Sequence, residues 1–88
     1  MAIEINGINH FAISVGNLDE SVDWYNRVFG FEEISRGQIP NTNVKVCHMQ
    51  AKGFLLEIFC NEESEPLAEF RKNPNTDFLV QGNKHISI

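Results

Sequence analysis

The feature that most limits the folds open to this chain is one short helix with both ends written into the sequence. It stands between a single strand-like run and three more. Leu18, Val22, Tyr25 and Phe29 recur at intervals of 4, 3 and 4, the spacing of one buried stripe. Asn17 stands where an N-cap belongs, and Glu20 three residues later completes a capping-box pattern. Gly30 is placed to end the helix in the left-handed conformation. The spacing predicts a helix over Leu18–Phe29, with Asp23 and Arg27 one turn apart on its polar side as a weak ion pair. Tyr25 then belongs to the core and Trp24 to its flank.

Before the helix, Ile8 to Val15 alternates. Ile8, His10, Ala12 and Ser14 share one face, while Phe11, Ile13 and Val15 form the greasy one. After the helix, Phe31 to Ile39 reads as a strand interrupted by Gly37, and Pro40-Asn41-Thr42-Asn43 as a turn. Val44 to Gln50 sets Val44, Val46 and His48 on one face, with Lys45, Cys47 and Met49 on the other. Lys52-Gly53 makes a tight connection to Phe54–Cys60, where Leu55, Glu57 and Phe59 oppose Leu56 and Ile58. A first module thus occupies residues 1–60. Residues 61–83 turn polar and read as a linker, with a short helical turn near Leu67–Lys72 and a turn at Pro74-Asn75-Thr76-Asp77. A new strand begins over residues 84–88.

Composition narrows the function classes. A chain of 88 residues makes one domain at most, burying only ~60–65% of the surface its unfolded form exposes. Seven basic residues against twelve acidic give a net charge of -5. The absence of a basic cluster argues against nucleic acid and anionic membrane as partners. The start, Met1-Ala2-Ile3-Glu4-Ile5-Asn6, lacks the charged region and long apolar run of a signal peptide. No stretch approaches the ~20 apolar residues that span a bilayer. Cys47 and Cys60 are too few for a disulfide framework and wrongly spaced for a metal knuckle. They read as reduced, mostly buried thiols of a cytoplasmic protein.

Three side chains stand out as carriers of chemistry: His10, Glu57 and His85. Glu57 is flanked by Phe54, Leu55, Leu56, Ile58 and Phe59, a setting where a lone carboxylate is costly unless paired, protonated or bound to a cation. The plainer alternative is that Glu57 faces solvent from a half-wet sheet. A lone strand histidine is usually a hydrogen-bonded surface or core residue, and His48 has only that reading. If the first and last strands of the module are neighbours, His10 and Glu57 lie opposite each other with Cβ atoms ~5 Å apart. An imidazole and a carboxylate at that separation form half a site for a borderline divalent metal such as Zn²⁺, Ni²⁺, Mn²⁺ or Fe²⁺. The run His85-Ile86-Ser87-Ile88 echoes His10-Phe11-Ala12-Ile13. The echo points to a duplicated module and to a chain cut short of its second copy.

Ile8-Asn9-His10-Phe11-Ala12-Ile13-Ser14-Val15, then Leu18-Asp19-Glu20-Ser21, Trp24-Tyr25 and Phe29-Gly30-Phe31, resembles the opening of the glyoxalase/bleomycin-resistance/dioxygenase group. That group is the vicinal oxygen chelate superfamily. Phe54-Leu55-Leu56-Glu57-Ile58-Phe59 resembles the carboxylate strand that closes its module, and Gly82-Asn83-Lys84-His85-Ile86-Ser87-Ile88 the entry to the second. The resemblance implies an α+β fold: a βαβββ module with a mixed, mainly antiparallel cupped sheet, and a second module that is truncated. It makes His10, Glu57 and His85 three metal ligands, the fourth being a glutamate from the end of module two.

The resemblance further implies a metal-dependent lyase or isomerase, lactoylglutathione-lyase-like, acting on a small substrate through two adjacent oxygens. Glu57, or the glutamate of module two, then shuttles the proton, and glutathione is an option as co-substrate. The alternatives are a bleomycin-resistance-type binding protein without turnover and an extradiol-dioxygenase-like protein. A third is a fragment that has the fold but no activity. The remaining half of the site comes from the truncated module or from a homodimer that pairs His10 and Glu57 of two copies.

Overall fold

A computed structural model of the chain describes residues 2–87. Its elements run β1 (His10–Val15), α1 (Leu18–Phe29), β2 (Glu32–Gln38), β3 (Lys45–Gln50), β4 (Leu55–Cys60), α2 (Glu69–Lys72) and α3 (Pro74–Asp77). The four strands form one sheet in the order β1-β4-β3-β2. β1 and β4 are parallel, while β4–β3 and β3–β2 are antiparallel. The architecture is α+β with a mixed, mainly antiparallel, unclosed sheet.

The helix has the limits that its spacing predicts. Asn17 Oδ1 accepts the Glu20 amide at 3.0 Å. Gly30, at φ 73°, turns its N–H back to Asn26 O. Because α1 joins one edge strand, β1, to the opposite edge strand, β2, it crosses the two central strands. Its apolar stripe therefore lands on β3 and β4, where Cys47, Met49 and Ile58 are wholly buried beside Leu56 under Leu18 and Val22. Each such side chain contributes ~1.5–3 kcal/mol by leaving water.

The stripe weakens towards its end. Tyr25 is partly buried and stacks on Phe31 at 6.0 Å, whereas Phe29, the last helical residue, stays 45 % exposed. Phe29 packs against the rings of Trp24, Tyr25 and Phe31. Asp23 and Arg27 pair at 3.5 Å on the wet side, and Trp24 flanks the core at 43 % exposure.

The faces of the strands follow the alternation. Phe11, Ile13 and Val15 pack on the core, as do Cys47, Met49, Leu56 and Ile58. Gly53, at φ 94°, supports the tight β3–β4 connection, which Ala51 N closes on Phe54 O at 3.0 Å. In β2 the register slips between Glu33 and Ser35, a bulge at Ile34. At the other end of the β2–α1 contact, Arg36 forks onto Glu33 at 3.0 Å and also bonds Asp19, tying the strand to the first turn of the helix.

Residues 61–83 carry α2 and α3. Arg71 and Lys84 converge on Asp77 at 3.0 and 3.5 Å, and Arg71 also donates to Asn83 O. This folds α2, α3 and the following segment back on themselves. Residues 84–87 are not in a strand here, in contrast to the alternation of their sequence, and Ile88 lies outside the described residues. A strand needs a ladder partner. Instead of pairing with the β1 edge, this segment is held by Lys84, which donates to the carbonyls of Asp77 and Val80. A cleft remains between Phe11–Ile13 and Asn83–Ile86. Among the described residues no helix is long and apolar enough to cross a membrane.

Candidate functional site

The face of the sheet opposite α1 carries the polar chemistry. Glu57 sits at its centre on β4, with β1 on one side and β3 on the other. Its own backbone alternation puts it there: Leu56 and Ile58 go into the core, so Glu57 must point the other way. Leu55, Phe59 and Val46 share this face and are partly buried. Glu57 does not simply project into water. Its side chain is 20 % exposed and is flanked by two imidazoles.

His10 approaches from β1. The first and last strands are neighbours, but their parallel register sets Ala12 rather than His10 opposite Glu57. His10 instead faces Leu55 and reaches Glu57 diagonally, with Nε2 3.8 Å from Oε1. The methyl side chain of Ala12 leaves room for that reach. The offset arises because a parallel ladder is fixed by packing of Phe11, Ile13 and Val15 under the sheet, and not by a turn between the two strands.

The other ring nitrogen of His10, Nδ1, lies 2.7 Å from Asn9 Oδ1. An amide oxygen only accepts, so Nδ1 carries the proton and the Nε2 of the neutral ring keeps its lone pair. Two acceptor atoms, His10 Nε2 and Glu57 Oε1, then face each other across 3.8 Å. That gap is near the ~3.3–3.4 Å edge of a tetrahedron with metal–ligand bonds of ~2.0–2.1 Å. The pair fits a divalent cation as two donors of suitable type; the same gap admits a proton on His10 and a simple ion pair.

His85 is not brought to these two. It is exposed on the segment beside β1, where it lines the cleft with Phe11, Ala12 and Ile13. Among the described residues, no group of three or more His, Cys, Asp or Glu side chains is arranged to hold a metal ion.

His48 is the residue that sequence reasoning set aside and the structure brings in. Its Nε2 lies 2.7 Å from Glu57 Oε2, and its Nδ1 lies 3.1 Å from Ser35 Oγ. The signal was available in the hairpin. Counting outwards from the tight turn, Gln50 meets Leu55, Met49 meets Leu56, and His48 meets Glu57. Ser35 had no comparable signal, because it reaches His48 only through the bulge. Cys47 takes no part: it is wholly buried on the opposite face, and burial pushes its thiol up from the ordinary range.

The model of one family, the Glyoxalase/Bleomycin resistance protein/Dioxygenase superfamily, matches residues 7–87. No solved structure matches the chain significantly. The match covers nearly the whole chain, and the chain belongs to that superfamily.

Proposed function

We propose, with membership of that superfamily as the premise, that His10 and Glu57 are two ligands of a divalent-metal site. The enzyme would be a lyase or isomerase whose small substrate offers two adjacent oxygens. The observation that carries this reading is the convergence of His10 Nε2 and Glu57 Oε1 across 3.8 Å, with the opposite nitrogen of His10 committed to Asn9. Zn²⁺, Ni²⁺, Mn²⁺ and Fe²⁺ all accept an imidazole and a carboxylate. When bound, such an ion supplies Lewis acidity towards the substrate oxygens.

The chain's own residues do the rest. Asn9 orients the His10 ring. Glu57 is the carboxylate on the open face and is the group to accept and return a proton. Leu55, Phe59 and Val46 offer an apolar floor on the same face. Two donors leave coordination positions open. In this reading a second βαβββ unit fills them: within a longer protein His85 is its first ligand, and in a pairing of two copies His10 and Glu57 of the second copy take that part. Glutathione is then the natural carrier of a substrate that needs a thiol adduct.

A second reading is sequestration of a ligand without turnover. It draws on the same apolar floor and on the engagement of Glu57 by His48, which would make the carboxylate a binding group.

Metal analysis of the purified, metal-reconstituted chain tests the proposal, with His10→Ala and Glu57→Ala beside it. Bound divalent metal that both substitutions reduce is the expected result. Metal content that neither changes would mean that the ligands are misassigned. Turnover of the methylglyoxal–glutathione hemithioacetal separates a lyase from a sequestering protein.

A further inference from the structure

We infer that His48, backed by Ser35, is a positioning residue that holds Glu57 with one carboxylate oxygen occupied and the other turned towards His10. The inference rests on the reading of Glu57 as a metal ligand and adds the device that aims it.

Two independent features of the fold build the arrangement. The tight β3–β4 hairpin sets His48 directly across from Glu57. The bulge in β2 then decides what stands behind His48. Continuing the Glu33–Met49 register would bring Ile34 opposite His48; the extra residue brings Ser35 there instead. Bulges often re-aim a side chain beside a functional site. Here the change replaces an aliphatic group with a hydroxyl. Ile34 is left 50 % exposed, so the slip has no packing motive of its own at that residue.

The hydrogen bonds have one consistent direction. A carboxylate only accepts, so the 2.7 Å contact requires the proton on His48 Nε2. In the neutral ring Nδ1 is then bare, and the Ser35 hydroxyl donates to it across 3.1 Å. Ser35 thereby selects the tautomer that can serve Glu57. With Oε2 held by His48, the only other oxygen is Oε1, which is the one facing His10. A carboxylate held in this way offers one oxygen to a cation rather than chelating with both. His48, bonded at Nε2, is no ligand while that contact stands.

Two measurements on the whole chain test this. Ring ¹⁵N spectra of the metal-free protein, at a pH where the imidazoles are neutral, read the tautomer directly. His48 protonated at Nε2 is expected, with the preference relaxed in Ser35→Ala. Protonation at Nδ1 overturns the inference, since Nε2 could not then donate to Glu57.

The second measurement is a Co²⁺ titration followed by visible absorption and by broadening of assigned resonances. His48→Ala is expected to weaken Co²⁺ binding about 10–100-fold, the usual cost of losing a partner of a ligand. His48→Gln keeps an N–H donor at that strand position and is expected to recover most of the affinity. No recovery in the glutamine variant makes the imidazole itself a ligand and overturns the positioning role. Binding that needs Glu57 but ignores His48→Ala sinks the positioning role alone. A parent chain that binds no Co²⁺, or binding that ignores Glu57→Ala, sinks the metal reading and this inference together.

Discussion

Ile58→Ala should remove a large part of the stability of this protein, and the structure says why. Ile58 is wholly buried in β4, laterally between Ile13 of β1 and Cys47 of β3, in the core that Leu18 and Val22 cover. The substitution deletes three carbons, which at ~0.8 kcal/mol each loses ~2.4 kcal/mol of transfer free energy. Strand neighbours held by ladders on both sides cannot collapse into the space, so a cavity cost is added. The total should fall in the upper half of the ~2–5 kcal/mol seen for such truncations. A chain of this length has roughly 4–13 kcal/mol in hand, at ~0.05–0.15 kcal/mol per residue. Ile58→Ala therefore leaves it marginal. Ile58→Val should cost only ~0.5–1.5 kcal/mol, and each kcal/mol lowers Tm by ~4–8 °C in a domain this small. Urea unfolding followed by circular dichroism gives both values. A loss below about 1 kcal/mol in Ile58→Ala, at unchanged m-value, would refute the placement of the core over β3 and β4.

Other outcomes follow from single observations. Asn17→Ala should cost ~1 kcal/mol through loss of the cap on the Glu20 amide. Gly30→Ala should cost ~1–2 kcal/mol from its φ of 73° alone, since open space surrounds the position; thermal melts check both. In the native protein an aromatic disulfide reagent should modify Cys60 well before Cys47, whose thiol is buried and pushed up. Equal rates would contradict the burial. The bond from Arg71, aided by Lys84, holds the Asp77 carboxyl below the ordinary range. A carboxyl depressed on folding adds stability above its unfolded value, ~3.9, and loses it as pH falls through the folded value. The fold-back over residues 71–84 should thus persist through the pH range where an ordinary aspartate titrates, and open below it. Asp77→Asn should open it at neutral pH; amide exchange of residues 71–84 reads both.

Much of the site can be read from sequence because the two backbone periods are local properties. Alternation alone puts Glu57 opposite Leu56 and Ile58, and His10 opposite Phe11 and Ile13 in facing. Helix limits were equally legible, since Asn17 and Gly30 act within one turn of where they stand. The hairpin partner of Glu57 lay within reach too: Lys52-Gly53 fixes the β3–β4 register, and with it His48. A single strand histidine carries no chemistry until its partner is counted across the turn.

The rest depended on contacts between distant segments. No turn joins β1 to β4, so the offset that sets Ala12 opposite Glu57 and sends His10 across the diagonal is settled by packing beneath the sheet. A bulge is invisible to alternation until its partner strand is present, and so Ser35 could not be assigned to His48. Residues 84–87 have the pattern of a strand but no ladder, because strand pairing is a property of two segments and Lys84 ties this one elsewhere. Outside the bulge of β2, the sequence by itself determined which face each strand side chain takes. Only the tertiary structure decided which side chains meet across that face, because facing follows from one backbone's own period and meeting from the register between two.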